Sequence, residues 1–167
     1  MAEKVAEQST SKAKEDTSKR PFGQKEYPTE LLRPTFRGVH YKFIILLPTK
    51  ERRAEDEKPK PVFIDEDLGE LRKLFRSDFG GYTELQSATG PLVSGEWVES
   101  GTEKIVFNEH MRYEIYSLPS KIAVDYITEL KMHLKQYAKD IRKAEQSEIV
   151  IERSDVDFVS DPLELRK

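Results

Sequence analysis

The chain contains no cysteine. Disulfides, thiolate nucleophiles and cysteine-based zinc sites are therefore excluded. Histidine is scarce: His40, His110 and His133 are the only three, and their spacing matches no common metal-ligand pattern. The single tryptophan is Trp97. Long apolar runs are also missing. The longest, residues 43–47, is far short of the roughly 20 residues that a membrane-spanning helix needs. Residues 1–8 lack the apolar core of a secretory signal. A cytoplasmic protein with no membrane partner is the expectation. Neither sign of charge dominates, since the formal net charge is −3. Nucleic-acid affinity comes largely from neutralising phosphates, so here it would need a local basic patch.

Charged residues make up 35% of the chain and hydrophobic ones 37%, more charged and less apolar than an average globular protein. That balance fits an ordinary domain diluted by polar tails. Residues 1–37 read as a disordered or loosely docked arm, 38–159 as one α+β domain, and 160–167 as a polar tail. Within the arm, residues 1–27 carry few large apolar side chains beyond Val5, Phe22 and Tyr27. So little apolar surface does not offset the entropy of ordering, and this stretch is read as disordered. Leu31 and Leu32, between Pro28 and Pro34, read as part of a linker.

The first strand is read from His40 to Pro48, with proline as its end. The charged stretch 50–61 reads as a solvated loop. A first helix starts at Asp65, the expected cap, and buries Leu68, Leu71, Leu74 and Phe75 before Gly80-Gly81 ends it. Residues 82–85 read as a short strand or the entry to one, and strands follow at 95–99 and 103–116. Alternation along the last puts Met111, Tyr113 and Ile115 on one face and His110, Arg112, Glu114 and Tyr116 on the other. The second helix, from Lys121 to near Glu145, stacks Ala123, Ile127, Leu130, Leu134, Tyr137 and Ile141 on one side. A final strand covers 147–152 and resumes at 156–159 after an irregularity. The order β-α-β-β-α-β predicts a ferredoxin-like sandwich, an antiparallel sheet with both helices on one face.

Phe79-Gly80-Gly81-Tyr82-Thr83, Gly95-Glu96-Trp97 and Gln146-Ser147-Glu148-Ile149-Val150-Ile151 occur in the order helix, Gly-x-Thr, Gly-x-Trp, strand, helix, Gln-Glu-x-Val. In this the chain resembles a family of small bacterial α+β domains of unknown function. The resemblance covers about half the chain. It implies the sandwich and brings no catalytic residue with it. The long arm, the 50–61 loop and the long turn before Trp97 depart from the pattern.

Three surfaces are candidates for function. The uncovered sheet face should display Lys42, His110, Arg112, Glu114 and Tyr116, with Glu148 and Glu152. Its mixed charges suit a protein partner or a second copy of the chain. A pocket near Trp97, with His40 and His110 brought together on adjacent strands, would suit a small molecule or acid–base chemistry. Core packing is the plainer role for a lone tryptophan. Third, Lys131, Lys135, Lys139 and Lys143 recur every four residues on the second helix, flanked by Arg142. This stripe could meet phosphates, although a solvated helix face is the commoner meaning of such a run. Gly80-Gly81 lacks the lysine and hydroxyl residue of a phosphate loop, and no cofactor is indicated. A non-enzymatic interaction module is the favoured reading.

Overall fold

The computed structural model describes residues 20–52, 57–85, 93–98, 105–144 and 148–158; for 93–98 and 105–108 it describes the backbone alone. The elements are β1 (Gly38–Arg52), β2 (Lys60–Pro61), α1 (Asp65–Phe79), β3 (Thr83–Leu85), β4 (Val93–Val98), β5 (Ile105–Ser117), α2 (Lys121–Ile141) and β6 (Val150–Phe158), preceded by a 3-10 turn at Thr29–Leu31. No helix among the described residues is long and apolar enough to cross a membrane.

The protein is α+β: the described residues form one antiparallel sheet and two α-helices. β1 and β5 lie side by side at its centre. β6 and β2 share the far flank of β1, and β3 and β4 share the far flank of β5. Six strands thus replace the four expected, so the predicted order is not reproduced as such. The extra pieces are the two-residue β2 and the division of one flank between β3 and β4.

Alternation along the central strands sets the core. Phe43, Ile45 and Leu47 of β1 and Tyr113 and Ile115 of β5 are buried in one cluster with Leu68, Leu71 and Phe75 of α1 and Tyr126, Ile127, Leu130 and Leu134 of α2. Both helices therefore cover the same face. The expected stripe on α2 holds except at its end, where Ile141 is exposed and Ala138 is buried instead.

Several boundaries differ from the sequence reading. Pro48 does not end β1, which continues to Arg52. A proline lacks only the N–H, and β1 is paired on that flank with β6 as far as Leu46 and with β2 from Lys50. Pro48 lies in the gap, beside a register shift between Pro48 and Lys50 against β5. Residues 50–52 and 60–61, read as loop, are strand. β6 runs from Val150 to Phe158 in unbroken register with β1, without the expected irregularity.

Helix ends show how local chemistry sets boundaries. At α1 the cap position is Ile64, and it is Asp67, not Asp65, whose carboxylate accepts the Ile64 N–H at 3.0 Å. Gly80 ends the helix at φ 82°, where a side chain would be strained. At α2, Ser120 caps by accepting the Ala123 N–H at 3.1 Å. This helix stops four residues before Glu145. Lys143 takes φ 55°, and the Ala144 N–H reaches back to the Ala138 carbonyl at 3.1 Å. No glycine announces this stop.

The arm is corrected from residue 20 onward. Phe22 and Leu32 are buried in the main core, Leu32 completely. The Leu118 N–H donates to the Leu32 carbonyl at 3.0 Å. The Arg20 guanidinium meets Asp78, and the Tyr27 hydroxyl donates to Glu129. Phe22 stands edge-on to Tyr137, and Tyr27 to Tyr126. The segment is polar in composition, but two apolar side chains and two charge-assisted contacts fasten it.

Candidate functional site

Antiparallel register assigns the uncovered sheet face pair by pair. Lys42 stands opposite Tyr116, Ile44 opposite Glu114, Leu46 opposite Arg112 and Pro48 opposite His110. On the other flank, Lys42 is opposite Ser154, Ile44 opposite Glu152, and Leu46 opposite Val150. All five predicted residues, Lys42, His110, Arg112, Glu114 and Tyr116, therefore share this face. They are not equally available. His110 is 1% exposed, while the other four are half-buried.

Glu114 is the hub of the charged part. It faces Lys42 at 3.2 Å and accepts a hydrogen bond from Arg112 at 2.6 Å. Burial pushes the Glu114 carboxyl up, but Lys42 and Arg112 together outweigh it and hold it below the usual range. The three form a fixed ionic row with one positive charge in excess. Beside it lies an aliphatic row of Ile44, Leu46 and Val150, all half-buried. At one end sits an aromatic group. Phe158 stacks on His40 at 4.1 Å between ring centroids and meets Tyr116 edge-on at 5.3 Å. Tyr116 is expected on this face from the sequence; its aromatic neighbours His40 and Phe158 and the aliphatic row are not. The alternation in 40–46 was the available signal.

Glu148 is corrected. It precedes β6 and faces Lys131 and Lys135 of α2, at 3.6 and 3.4 Å. The lysine stripe is thereby partly occupied. Arg142 leaves it altogether: its guanidinium grips Asp67 with contacts of 2.9 to 3.1 Å. The Lys143 ammonium donates to the Asp140 carbonyl at 2.7 Å, and Lys139 is exposed.

The expected approach of His40 and His110 is also corrected. His110 pairs with Pro48, eight positions along β1 from His40. At a rise of about 3.4 Å per residue they are about 27 Å apart. Adjacent strands bring two residues together only when the register does. His40 is built into the fold: its Nε2 accepts the Thr35 N–H at 3.0 Å, and its Nδ1 lies 2.7 Å from the Gly38 carbonyl. His133 flanks Glu129 at 3.5 Å. No group of three or more metal-ligating side chains exists among the described residues. The Trp97 backbone pairs with Val106, but its side chain, and with it the expected pocket, lies outside the described residues.

A cleft does exist elsewhere. It has a volume of about 380 Å³ and is lined by Arg33, Pro34, Phe79, Gly80, Gly81, Tyr82, Thr83 and Tyr116. The helix-ending glycines are thus part of its lining, as is Arg33, whose guanidinium donates to the Ser77 carbonyl at 2.6 Å. Tyr116 belongs both to this cleft and to the uncovered face. Neither family models, nor curated proteins, nor solved structures gave a match to the chain.

Proposed function

We propose that the protein is a non-enzymatic interaction module that docks a protein partner on its uncovered sheet face. The observation that carries this is the continuity of the surface. An ionic row, an aliphatic row and an aromatic end lie side by side, and Tyr116 connects them to a cleft large enough for a partner's side chain. Apolar rows supply contact area, and fixed charges select the partner and its orientation. We also read the frame as an elaborated ferredoxin-like sandwich in the cytoplasm. Support for the frame comes from adjacent central β1 and β5 with β6 outside β1 and β3/β4 outside β5.

The test compares two double variants after both are shown to fold. Arg112→Glu with Tyr116→Ala alters the sheet face; Lys135→Glu with Lys139→Glu alters the lysine stripe. Partners cross-linked to the native chain in cells are identified by mass spectrometry, then titrated as purified proteins. The sheet-face pair should lose binding and the lysine pair should keep it. A nucleic-acid interaction abolished by the lysine pair alone would reverse this ranking. A small-molecule reading rests on the cleft, where Arg33 and two tyrosines offer one cation and two aromatic walls. It predicts that Arg33→Ala and Tyr82→Ala remove thermal stabilisation by a metabolite found in a screen.

A further inference from the structure

β6 pairs with β1 along one edge, and no described strand pairs with its other edge. Nine residues of backbone, Val150–Phe158, therefore offer donors and acceptors on an edge. Natural edges of this kind are usually blunted by charge, proline or short length. β6 has no proline and is long, and its charges are not arranged as simple repulsion. We propose that two copies of the chain pair through β6, antiparallel about a two-fold axis at Ser154, extending both sheets into one.

Register decides the matter. If the sheets are to join with their helices on the same side, residues facing each other across the axis must point to the same face, so the axis passes through a residue. An axis at Arg153 or Asp155 sets that charge against its own copy. An axis at Glu152 does the same. At Ser154, serine meets serine, and Arg153 of each copy meets Asp155 of the other, twice. Val150 meets Phe158 at both ends. Opposite charges directly across an antiparallel pair stabilise it, and like charges oppose it. Among these four axes only Ser154 gives opposite pairs and no like pair.

Both residues are available. Asp155 is exposed and takes part in no ion pair among the described residues. Arg153 is exposed, with its guanidinium over the Tyr41 ring at 4.6 Å, a contact that holds it at the edge without neutralising it. The edge shares Val150 and Phe158 with the open face but lies apart from the Lys42–Glu114–Arg112 row on β1 and β5, and the pairing would leave two such rows coplanar and accessible.

Sedimentation equilibrium of the full chain at low salt, from micromolar to millimolar concentration, should show a reversible dimer. Asp155→Arg should weaken it about tenfold or more, because two attractive contacts become repulsive. Arg153→Asp should do the same, and the exchange of both charges should restore it. Should the exchanged chain not fold, amide hydrogen exchange of the wild type gives the second reading: protection that grows with concentration must fall on β6. A monomer across the whole range, or a dimer indifferent to Asp155→Arg, overturns the proposal. The sheet-face variant, Arg112→Glu with Tyr116→Ala, should leave the dimer intact. Loss of the dimer in that variant alone would place self-association on the open face and remove it from the edge.

Discussion

The two ends of the helix pair are closed by the same three residue types. At one end Asp67 of α1 accepts from Tyr137 of α2 at 2.6 Å and from Arg142. At the other, Asp78 of α1 accepts from Tyr126 of α2 at 2.5 Å and from Arg20 at 2.5 Å. Asp67 and Asp78 are eleven residues apart, as are Tyr126 and Tyr137. Eleven residues make about three helical turns, so each pair lies on one side of its helix and the helices run antiparallel. The difference lies in the arginine. Arg142 follows α2 directly, whereas Arg20 comes from the segment ahead of the domain. One clasp ties two helices; the other also fastens the N-terminal segment over them. The same chemistry thus closes a sandwich at one end and recruits a cover at the other.

Removing the cover should have the largest effect. A chain beginning at Pro28 loses Arg20 and the buried Phe22 and leaves Asp78 in the interior with the Tyr126 and Ser77 hydroxyls but no cation. Truncating a buried Phe costs about 3–5 kcal/mol, and stranding a buried charge costs a similar amount. Together these should lower the melting temperature by roughly 10 °C or more, using the size scaling of unfolding entropy. Equal melting of the two chains would show that the segment does not stabilise the fold.

Asp78→Ala comes next. Asp78 is 1% exposed and accepts from Arg20, Tyr126 and the neighbouring Ser77 hydroxyl, so its removal orphans a buried cation and the Tyr126 hydroxyl and should cost about 3–5 kcal/mol in denaturant unfolding. In the chain beginning at Pro28 the cost should be much smaller, since the arginine is already gone. Additive losses would break the coupling between clasp and cover.

The other clasp should be weaker and should titrate. Arg142→Ala leaves Asp67 with Tyr137 and the Ile64 amide, so the cost should be about 1.5–3 kcal/mol, that of hydrogen bonds to a charged group. Burial pushes the Asp67 carboxyl up, but Arg142, Tyr137 and the Ile64 amide outweigh it and hold it below its ordinary 3.8. A lowered value in the folded state adds stability that is fully present above the unfolded value and is lost as pH falls through the folded one. The cost of Arg142→Ala should therefore shrink in acid, below the ordinary carboxylate range. A cost that stays constant down to pH of about 2 would mean that Asp67 is not the group involved.

What the sequence made legible follows from how far each signal reaches. The stripe of Leu68, Leu71, Leu74 and Phe75 and the stripe from Ala123 to Leu134 are periodic, and periodicity is local; both helices were found with it. The alternation that put Arg112, Glu114 and Tyr116 on one face of β5 is equally local. The clasps are not. Asp67 and Arg142 are 75 residues apart, Arg20 and Asp78 58. Charges scattered through polar stretches look solvated until a fold pairs them, which is why Arg142 was read into the lysine stripe and Arg20 into a disordered arm. The meeting of His40 and His110 failed for the reverse reason: neighbouring strands were identified, but the register that separates them is set by the whole sheet. The cleft was illegible because its lining comes from three separate segments.

The helix ends offer a gentler perturbation. Gly80 closes α1 with φ 82°, and Lys143 closes α2 with φ 55°. A left-handed backbone costs a side-chain-bearing residue about 1–2 kcal/mol, of which glycine's extra unfolded-state freedom offsets about 0.5–1. Lys143→Gly should therefore stabilise the protein by about 0.5 kcal/mol, read as a higher denaturant midpoint. A lower midpoint would mean that the Lys143 contact with the Asp140 carbonyl outweighs the strain.

The smallest effect should come from lysines of α2, the helix that Arg142 follows. Lys131 and Lys135 both face Glu148, at 3.6 and 3.4 Å, but Lys135 is about half exposed and so is Glu148. Exposed pairs gain little, because water screens the attraction and two long side chains lose freedom on meeting. When Lys135 is removed, Lys131 still faces the same carboxylate. Lys135→Ala should therefore change stability by about 0.5 kcal/mol or less, and the change should vanish in high salt. The contrast with Arg142→Ala isolates geometry from charge. Both variants delete one cation, from α2 or from the residue just past its end, yet only Arg142 makes a bidentate contact with a carboxylate that burial keeps from water. Equal losses at the two positions would mean that the net charge of the helix, and not the buried clasp, holds this end of the sandwich together.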